Sequence, residues 1–352
     1  FDQPLQAAAL AIVSASLQVA QLAARWGAKR FVFVSTAFVH AVPSTVDALQ
    51  EQLVELRDFD PMELYRDAVS HGGWAEKAML ELGFPNTYTF AKAIAEHLVL
   101  RACEADQLDG CVVRPSIVCP AWAAPCAGWA GAKPSTIVAA VALLASRGLR
   151  VFCNSRFPYP VVPVDFVAGA IVEAAAGASR AGDSQRISHA AVDASQADWM
   201  LSFSRSTEIL YQVLALRGDI SLPEAGLLLR VTRWSENRAA FRRLDFVVNR
   251  LPNLALSVLC TICDILVRLF GLESVGWKDS CKKVQTLTKY SFLPMAYAPF
   301  SSPCSAWRFR SKLRLPEDWS GEEYMLMIIQ AALDFVRGVS DRRSSREAAS
   351  AF

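Results

Sequence analysis

An excess of charge of one sign is what this chain of 352 residues most plainly lacks. Its net charge is +2, and no basic run carries interleaved aromatics, so a nucleic acid or another strong polyanion is not the expected partner. Disulfide order is also missing. The nine cysteines follow no framework spacing, which points to thiols in a reducing compartment. Cys260 and Cys263 form a single C-x-x-C with no second pair and no nearby histidine, so no metal site is expected. There is no signal peptide, and the first residue is Phe1 rather than Met, so the chain is expected to be a fragment cut inside a domain. Long uncharged runs are absent too. The strongest covers residues 254–263 and is continued to residue 270 by a stretch that Asp264 and Arg268 interrupt. That falls short of the roughly 20 apolar residues a bilayer crossing needs. A buried helix is expected over 254–272, with a membrane-surface or re-entrant hydrophobic segment as the alternative.

What is present is a rather apolar globular chain, 53% hydrophobic and 20% charged, long enough for two domains. Residues 5–25 are Ala-rich with helical periodicity. Residues 30–36 (RFVFVST) and 109–118 (DGCVVRPSIV) read as buried parallel strands, with further short strands at 149–153 and 186–192. Helices are predicted over 135–146 and 166–176. Residues 43–85 form a polar insertion with helical pieces at 45–56 and 74–82. Strand–helix alternation of this kind predicts an α/β fold with a parallel sheet. From about residue 198 the pattern is mostly helical. The expected division is 1–197, an α-rich region over 198–337, and a disordered polar tail over 338–352.

The stretch from Gly83 to Leu100, GFPNTYTFAKAIAEHLVL, carries the most chemistry. Tyr88 and Lys92 lie four residues apart on a helix, hence on one face. A lysine ammonium stabilises a phenolate, so the Tyr88 pKa is expected to fall toward working pH, making the tyrosine a proton donor to a carbonyl oxygen. An exposed amphipathic face would place the same two residues equally well. Ser35 and Thr36 end the strand over 30–36, at the edge where open parallel sheets bind ligands, or else they simply cap a turn. Arg114, a charge inside an apolar strand, should be paired.

These stretches occur in one order: FVSTAFVH (33–40), PNTYTFAK (85–92) with Glu96, VRPSIV (113–118), Gly128-Trp129 and VPVDFV (162–167). The series resembles the fatty acyl-CoA reductases, a male-sterility-type branch of the extended short-chain dehydrogenase/reductases. The likeness covers residues 1–180 and continues more weakly at Phe300 and Trp307-Arg-Phe309. It implies a Rossmann-like doubly wound parallel sheet, incomplete at its N-terminus, with an α-rich C-terminal region.

It also implies roles. Tyr88 and Lys92 fall on the proton donor and its lysine, which also holds the nicotinamide ribose. Thr36, with Ser35 adjacent, falls on the carbonyl-bonding position, and Pro115 and Ser116 flank the nicotinamide. The implied cofactor is NADPH and the implied substrate a long-chain fatty acyl-CoA, reduced to aldehyde or primary alcohol with release of CoA. The implied location is intracellular, at the endoplasmic reticulum or peroxisomal membrane. Two departures stand out. The Gly-rich phosphate loop is not in the sequence, so weak NADPH binding is expected of the chain as given, and Ile12 occupies the place of an asparagine in relatives. The alternatives are another extended short-chain reductase acting on a sterol, flavonoid or nucleotide sugar, and a non-catalytic, truncated lipid-binding paralogue. Gly128-Trp129 and the C-terminal aromatics argue against the first; Ile12 and the missing loop favour the second.

Overall fold

The computed structural model describes residues 3–40, 48–70, 72–131, 136–145, 151–152, 160–177, 186–234, 238–270, 281 and 308–336. The chain gathers into two compact units that interleave in sequence. One comprises residues 1–118, 160–198 and 304–319; the other comprises 119–159, 199–303 and 320–352.

The first unit is built on a parallel sheet, as the strand–helix alternation predicts. Strand β1 (Arg30–Val34) pairs with β2 (Asp109–Pro115), which pairs with β3 (Ile187–Ala190). Val34 aligns with Val113, and Pro115 with Ala190, so the three strands end along one edge. Alternation along each strand feeds two apolar layers. Phe31, Phe33, Val112 and Ile187 pack with helices α1 (Leu5–Arg25), α2 (Pro61–Ser70), α3 (Trp74–Glu81) and α4 (Thr87–Ala105). Val32, Val113 and Ala190 pack with α5 (Val164–Ala176) on the opposite face. A sheet covered on both faces has to be apolar on both, which is why β1 and β2 read as continuous hydrophobic runs.

Helix α1 turns π-helical over Ala9–Ser14, and Ile12 lies within that widened turn, packed against the core. Such bulges concentrate at functional positions. Helix α4 starts cleanly because Asn86 is its cap, its Oδ1 accepting from the Thr89 N–H at 2.9 Å.

The helix expected over 45–56 is not formed in its described part, 48–56. The Leu49 backbone is used otherwise: its N–H donates to the Arg308 carbonyl, and its carbonyl accepts from the Arg310 N–H. Residues 308–310 thereby bridge Leu49 and Asp193. Phe309 is fully buried between the Phe38 and His189 rings, at 6.4 and 5.2 Å. Its motif partners Phe300 and Trp307 lie outside the described residues, as does the tail from 337. Helix α2 interrupts the polar insertion, with Pro61, Leu64 and Ala68 buried and Met62, Tyr65 and Val69 packed beside them.

In the second unit, Gly321–Val336 packs against Thr136–Ala145 and Phe203–Leu216. The Tyr324 hydroxyl donates to the Pro120 carbonyl at 2.8 Å. A long helical run follows from Arg238 to Phe270 through a π-helical middle, Asp245–Arg250. The expectation that this run is buried fails. The most apolar 18-residue window of Ala239–Val267 has a mean hydropathy of 1.6, and only 11% of it is buried. Phe246, Leu254, Leu259, Ile262, Leu266 and Leu269 are exposed, while the inward stripe carries Asp245, Asn249 and Asn253 beside Phe241 and Cys260. Hydropathy alone does not say which face turns inward, and here the polar one does.

Two outcomes follow for the first unit. Arg114 and Glu96 are both fully buried and doubly hydrogen-bonded, at 2.8 and 2.6 Å. Glu96→Ala strands a buried guanidinium and should cost about 3–5 kcal/mol in denaturant unfolding, whereas a paired surface charge would cost under about 1 kcal/mol. His40 and His189 are held down by burial first and then by the nearby Arg114, to about 4 and about 3. The unfolded chain therefore takes up more protons as pH falls from 6.5 toward 4. Stability should drop across that window and be regained as pH rises, and the slope should flatten in a His40→Asn/His189→Gln variant.

Candidate active site

Four of the sequence-predicted residues meet where β1 ends. The Ser35 N–H donates to the Val113 carbonyl at 2.8 Å, which carries the β1–β2 pairing one residue past the strand. Thr36 then leaves the sheet as the cap of a short turn, Ala37–Val39, its Oγ1 accepting from the Phe38 N–H at 3.3 Å. With that acceptor position used, the hydroxyl proton is free to point elsewhere. The Thr36 side chain is hydrogen-bonded to the Tyr88 phenol, a contact that favours the phenolate. Strand end and helix α4 thus share one hydroxyl pair, Thr36–Tyr88.

Lys92 lies one turn further along α4. Its Nζ donates to the Val34 carbonyl at 2.8 Å and sits 4.8 Å from the centre of the Phe33 ring. The expected fall in the Tyr88 pKa is not what the structure gives. Burial raises it, and only the Thr36 hydrogen bond opposes the rise. Lys92 is directed at the Val34 carbonyl; burial lowers its pKa, and Glu96, one turn on, partly offsets this. The phenol is therefore kept as an acid, not pre-ionised.

Pro115 and Ser116 lie on the same edge of the sheet, at the end of β2. The Ser35 and Ser116 hydroxyl oxygens are both buried with no hydrogen-bond partner among the described residues. Buried hydroxyls are nearly always bonded, so two orphans on one edge fit a polar ligand there. A nicotinamide cofactor at this edge would fit these two hydroxyls. Among the described residues no group of histidine, cysteine or carboxylate side chains is arranged to hold a metal ion.

Arg114 was expected only to be paired. Its partner is Glu96 of α4, and its Nη1 also donates to the Gln52 carbonyl at 2.9 Å. The motif itself assigns Glu96 no role. The signal was its place eight residues after Tyr88 and four after Lys92, on the same side of the helix. The Val34 carbonyl as an anchor for Lys92 had no sequence signal, since every residue has a carbonyl.

Residues 1–171 match the family model described as male sterility protein, an NAD-binding domain. Fatty acyl-CoA reductase 2 of Mus musculus is 34% identical over 134 residues, 37% of this chain and 25% of that protein. Fatty acyl-CoA reductase 1 of Xenopus laevis is 30% identical over 154 residues, 41% of this chain and 28% of that protein. The matched part thus spans under a third of the length of these relatives. A crystal structure of the terminal R domain from the myxalamid PKS-NRPS biosynthetic pathway aligns over 65% of this chain and 52% of that one, at 19% identity and a TM-score of 0.37.

Removing the Thr36 hydroxyl should raise the Tyr88 pKa further. Ultraviolet titration of Thr36→Val, read as a difference against Tyr88→Phe, should show the Tyr88 ionisation moved to higher pH. An unmoved ionisation would mean that the hydrogen bond contributes nothing.

Proposed function

Because residues 1–171 match a male sterility protein model and fatty acyl-CoA reductases align with this chain, we propose that it is a member of the fatty acyl-CoA reductase family and serves NADPH-dependent reduction of a long-chain fatty acyl-CoA, first to the aldehyde and then to the primary alcohol, with release of CoA. The observation that carries this reading is the Thr36–Tyr88 hydroxyl pair at the C-terminal end of β1. The cofactor, when bound, supplies hydride; Lys92, Tyr88, Pro115 and Ser116 are the residues we assign to holding it.

Everything else is done by the chain itself. The substrate carbonyl oxygen sits between the Thr36 and Tyr88 hydroxyls, both of which donate to it. Without substrate the two hydroxyls bond to each other; on binding, the proton they share in that bond turns to the carbonyl oxygen, and both donors then face the negative charge that grows there. Tyr88 then gives up its proton to the oxygen. A phenol held up by burial stays protonated until that moment, and the bond with Thr36 limits how far its pKa rises. Lys92 fixes the α4 face on the strand end through the Val34 carbonyl and supplies positive charge one turn from the phenol. Ser35, buried beside Thr36 with its Oγ unpartnered among the described residues, adds a further hydroxyl at the strand end.

We also assign the exposed apolar run Arg238–Phe270 to a membrane surface, at the endoplasmic reticulum or a peroxisome. An apolar face turned outward beside exposed Arg242 and Arg243 suits an acyl interior edged by anionic headgroups.

Tyr88→Phe, Lys92→Ala, Thr36→Ala and Ser35→Ala test the site in the full-length protein, using acyl-CoA-dependent NADPH oxidation at unchanged melting temperature. Tyr88→Phe should lose about a hundred- to ten-thousand-fold, with Lys92→Ala at least as damaged. Thr36→Ala should lose on the order of a hundredfold, with Ser35→Ala milder. Near-normal turnover by Tyr88→Phe would leave a non-catalytic lipid-binding module as the better reading. For the membrane assignment, the protein should float with vesicles containing anionic lipid, and Leu259→Asp/Ile262→Asp should stay at the bottom of the gradient; equal flotation of both would refute it.

A further inference from the structure

Cys260 and Cys263 lie three residues apart on the exposed apolar helix of the second unit, so their side chains share one side of it. The chain returns a third thiol to that turn. The Cys281 Sγ donates to the Cys260 carbonyl at 3.8 Å, and its side chain is also hydrogen-bonded to the Cys260 side chain. Cys260 and Cys281 are both buried, while Cys263 is partly exposed; all three are free thiols. A C-x-x-C alone says little, but a third cysteine folded onto its first member brings two sulfurs within reach of each other. A disulfide needs the sulfurs at about 2 Å and Cβ atoms near about 4 Å, a small closing movement from a thiol–thiol hydrogen bond.

We propose that Cys260 and Cys281 form a reversible thiol–disulfide site, closed by a small disulfide oxidant of the glutathione class. One protein thiol loses its proton, and the thiolate attacks a sulfur of the oxidant. Its S–S bond breaks, one glutathione thiolate leaves, and a mixed disulfide remains on the protein. The second protein thiolate attacks the protein sulfur of that mixed disulfide and expels the second glutathione. In sum, two protein thiols lose two electrons and two protons, and one oxidised glutathione becomes two reduced ones. Closure ties residue 281 to the long helix.

The surroundings set the pace. Desolvation, the hydrogen bond to Cys260, and the nearby Cys260, Asp264 and Cys263 hold the Cys281 thiol up at about 11. The thiolate is the attacking form, so closure is slow near neutrality and speeds up as pH rises. Cys103 and Cys111 make an internal comparison. They also lie close enough to influence each other electrostatically, but with no thiol–thiol hydrogen bond among the interactions that shift Cys103, and they should stay reduced. This inference stands apart from the reductase reading, and no step of it uses Tyr88, Lys92 or Thr36.

The test is peptide mapping of the full chain after equilibration in glutathione buffers of graded oxidation, acid quench and alkylation. The expected product is a cross-linked peptide pair joining Cys260 to Cys281, lighter than the two thiol peptides by two hydrogens and restored by a dithiol reductant. It should form faster at higher pH, persist in Cys263→Ser and vanish in Cys281→Ser. The wild-type map decides the question even if Cys281→Ser fails to fold. Thiols at 260 and 281 that stay free under the most oxidising buffer, a glutathione adduct that never resolves, or a Cys260–Cys263 link as the main product would each overturn the proposal.

Discussion

The buried pair between Arg114 and Glu96 is the constraint on which the geometry of the first unit depends. A guanidinium inside a parallel sheet is tolerated only where its donors are fully met, and here a carboxylate takes two of them and the Gln52 carbonyl a third. That pairing locks the rotation of α4 against β2. With the rotation fixed, Tyr88 and Lys92 have no choice of direction. One meets Thr36 and the other the Val34 carbonyl, both at the end of β1. The interaction adds modest net stability by itself; its larger consequence is register between a helix and a strand. A one-residue slip of β2 would turn Arg114 to the opposite face and release the helix.

The second consequence concerns acidity. A lysine one turn from a tyrosine suggests a phenol pulled toward ionisation, but the local field is not set by spacing alone. Lys92 is committed to a backbone carbonyl and an aromatic ring, while burial raises the phenol. The Thr36 hydroxyl is the one group that acts on Tyr88 in the other direction. A protein that needs a proton delivered late in a reaction gains from this balance, since an acid ionised too early has nothing left to give.

Much of the first unit was legible in the sequence because its determinants are local. Uninterrupted apolar runs marked β1 and β2, and Asn86 ahead of a periodic stretch marked the start of α4. The Ser35–Thr36 strand end and the Tyr88–Lys92 face were legible for the same reason, each being a short motif on one element. What escaped depends on partners far along the chain. The helix expected over 45–56 gives way because residues 308–310 take the Leu49 backbone groups. The direction of the Tyr88 shift depends on how deeply α4 is packed. The outward apolar face of Arg238–Phe270 escaped because hydropathy records how apolar a helix is, and the buried stripe of Asp245, Asn249 and Asn253 reverses the usual sense. The approach of Cys281 to Cys260 likewise spans a stretch of chain that no motif connects.

The most direct measurement of the central claim, that Tyr88 is a protonated acid tuned by Thr36, is the pH profile of acyl-CoA-dependent NADPH oxidation in the full-length protein and in its Thr36→Val variant. An acid that must hold its proton gives a rate that falls as pH rises through its pKa. The account predicts such an alkaline limb and its displacement to higher pH in Thr36→Val, alongside a lower maximal rate. An alkaline limb at the same pH in both proteins would contradict it, because the group that titrates would then not be the phenol that Thr36 touches.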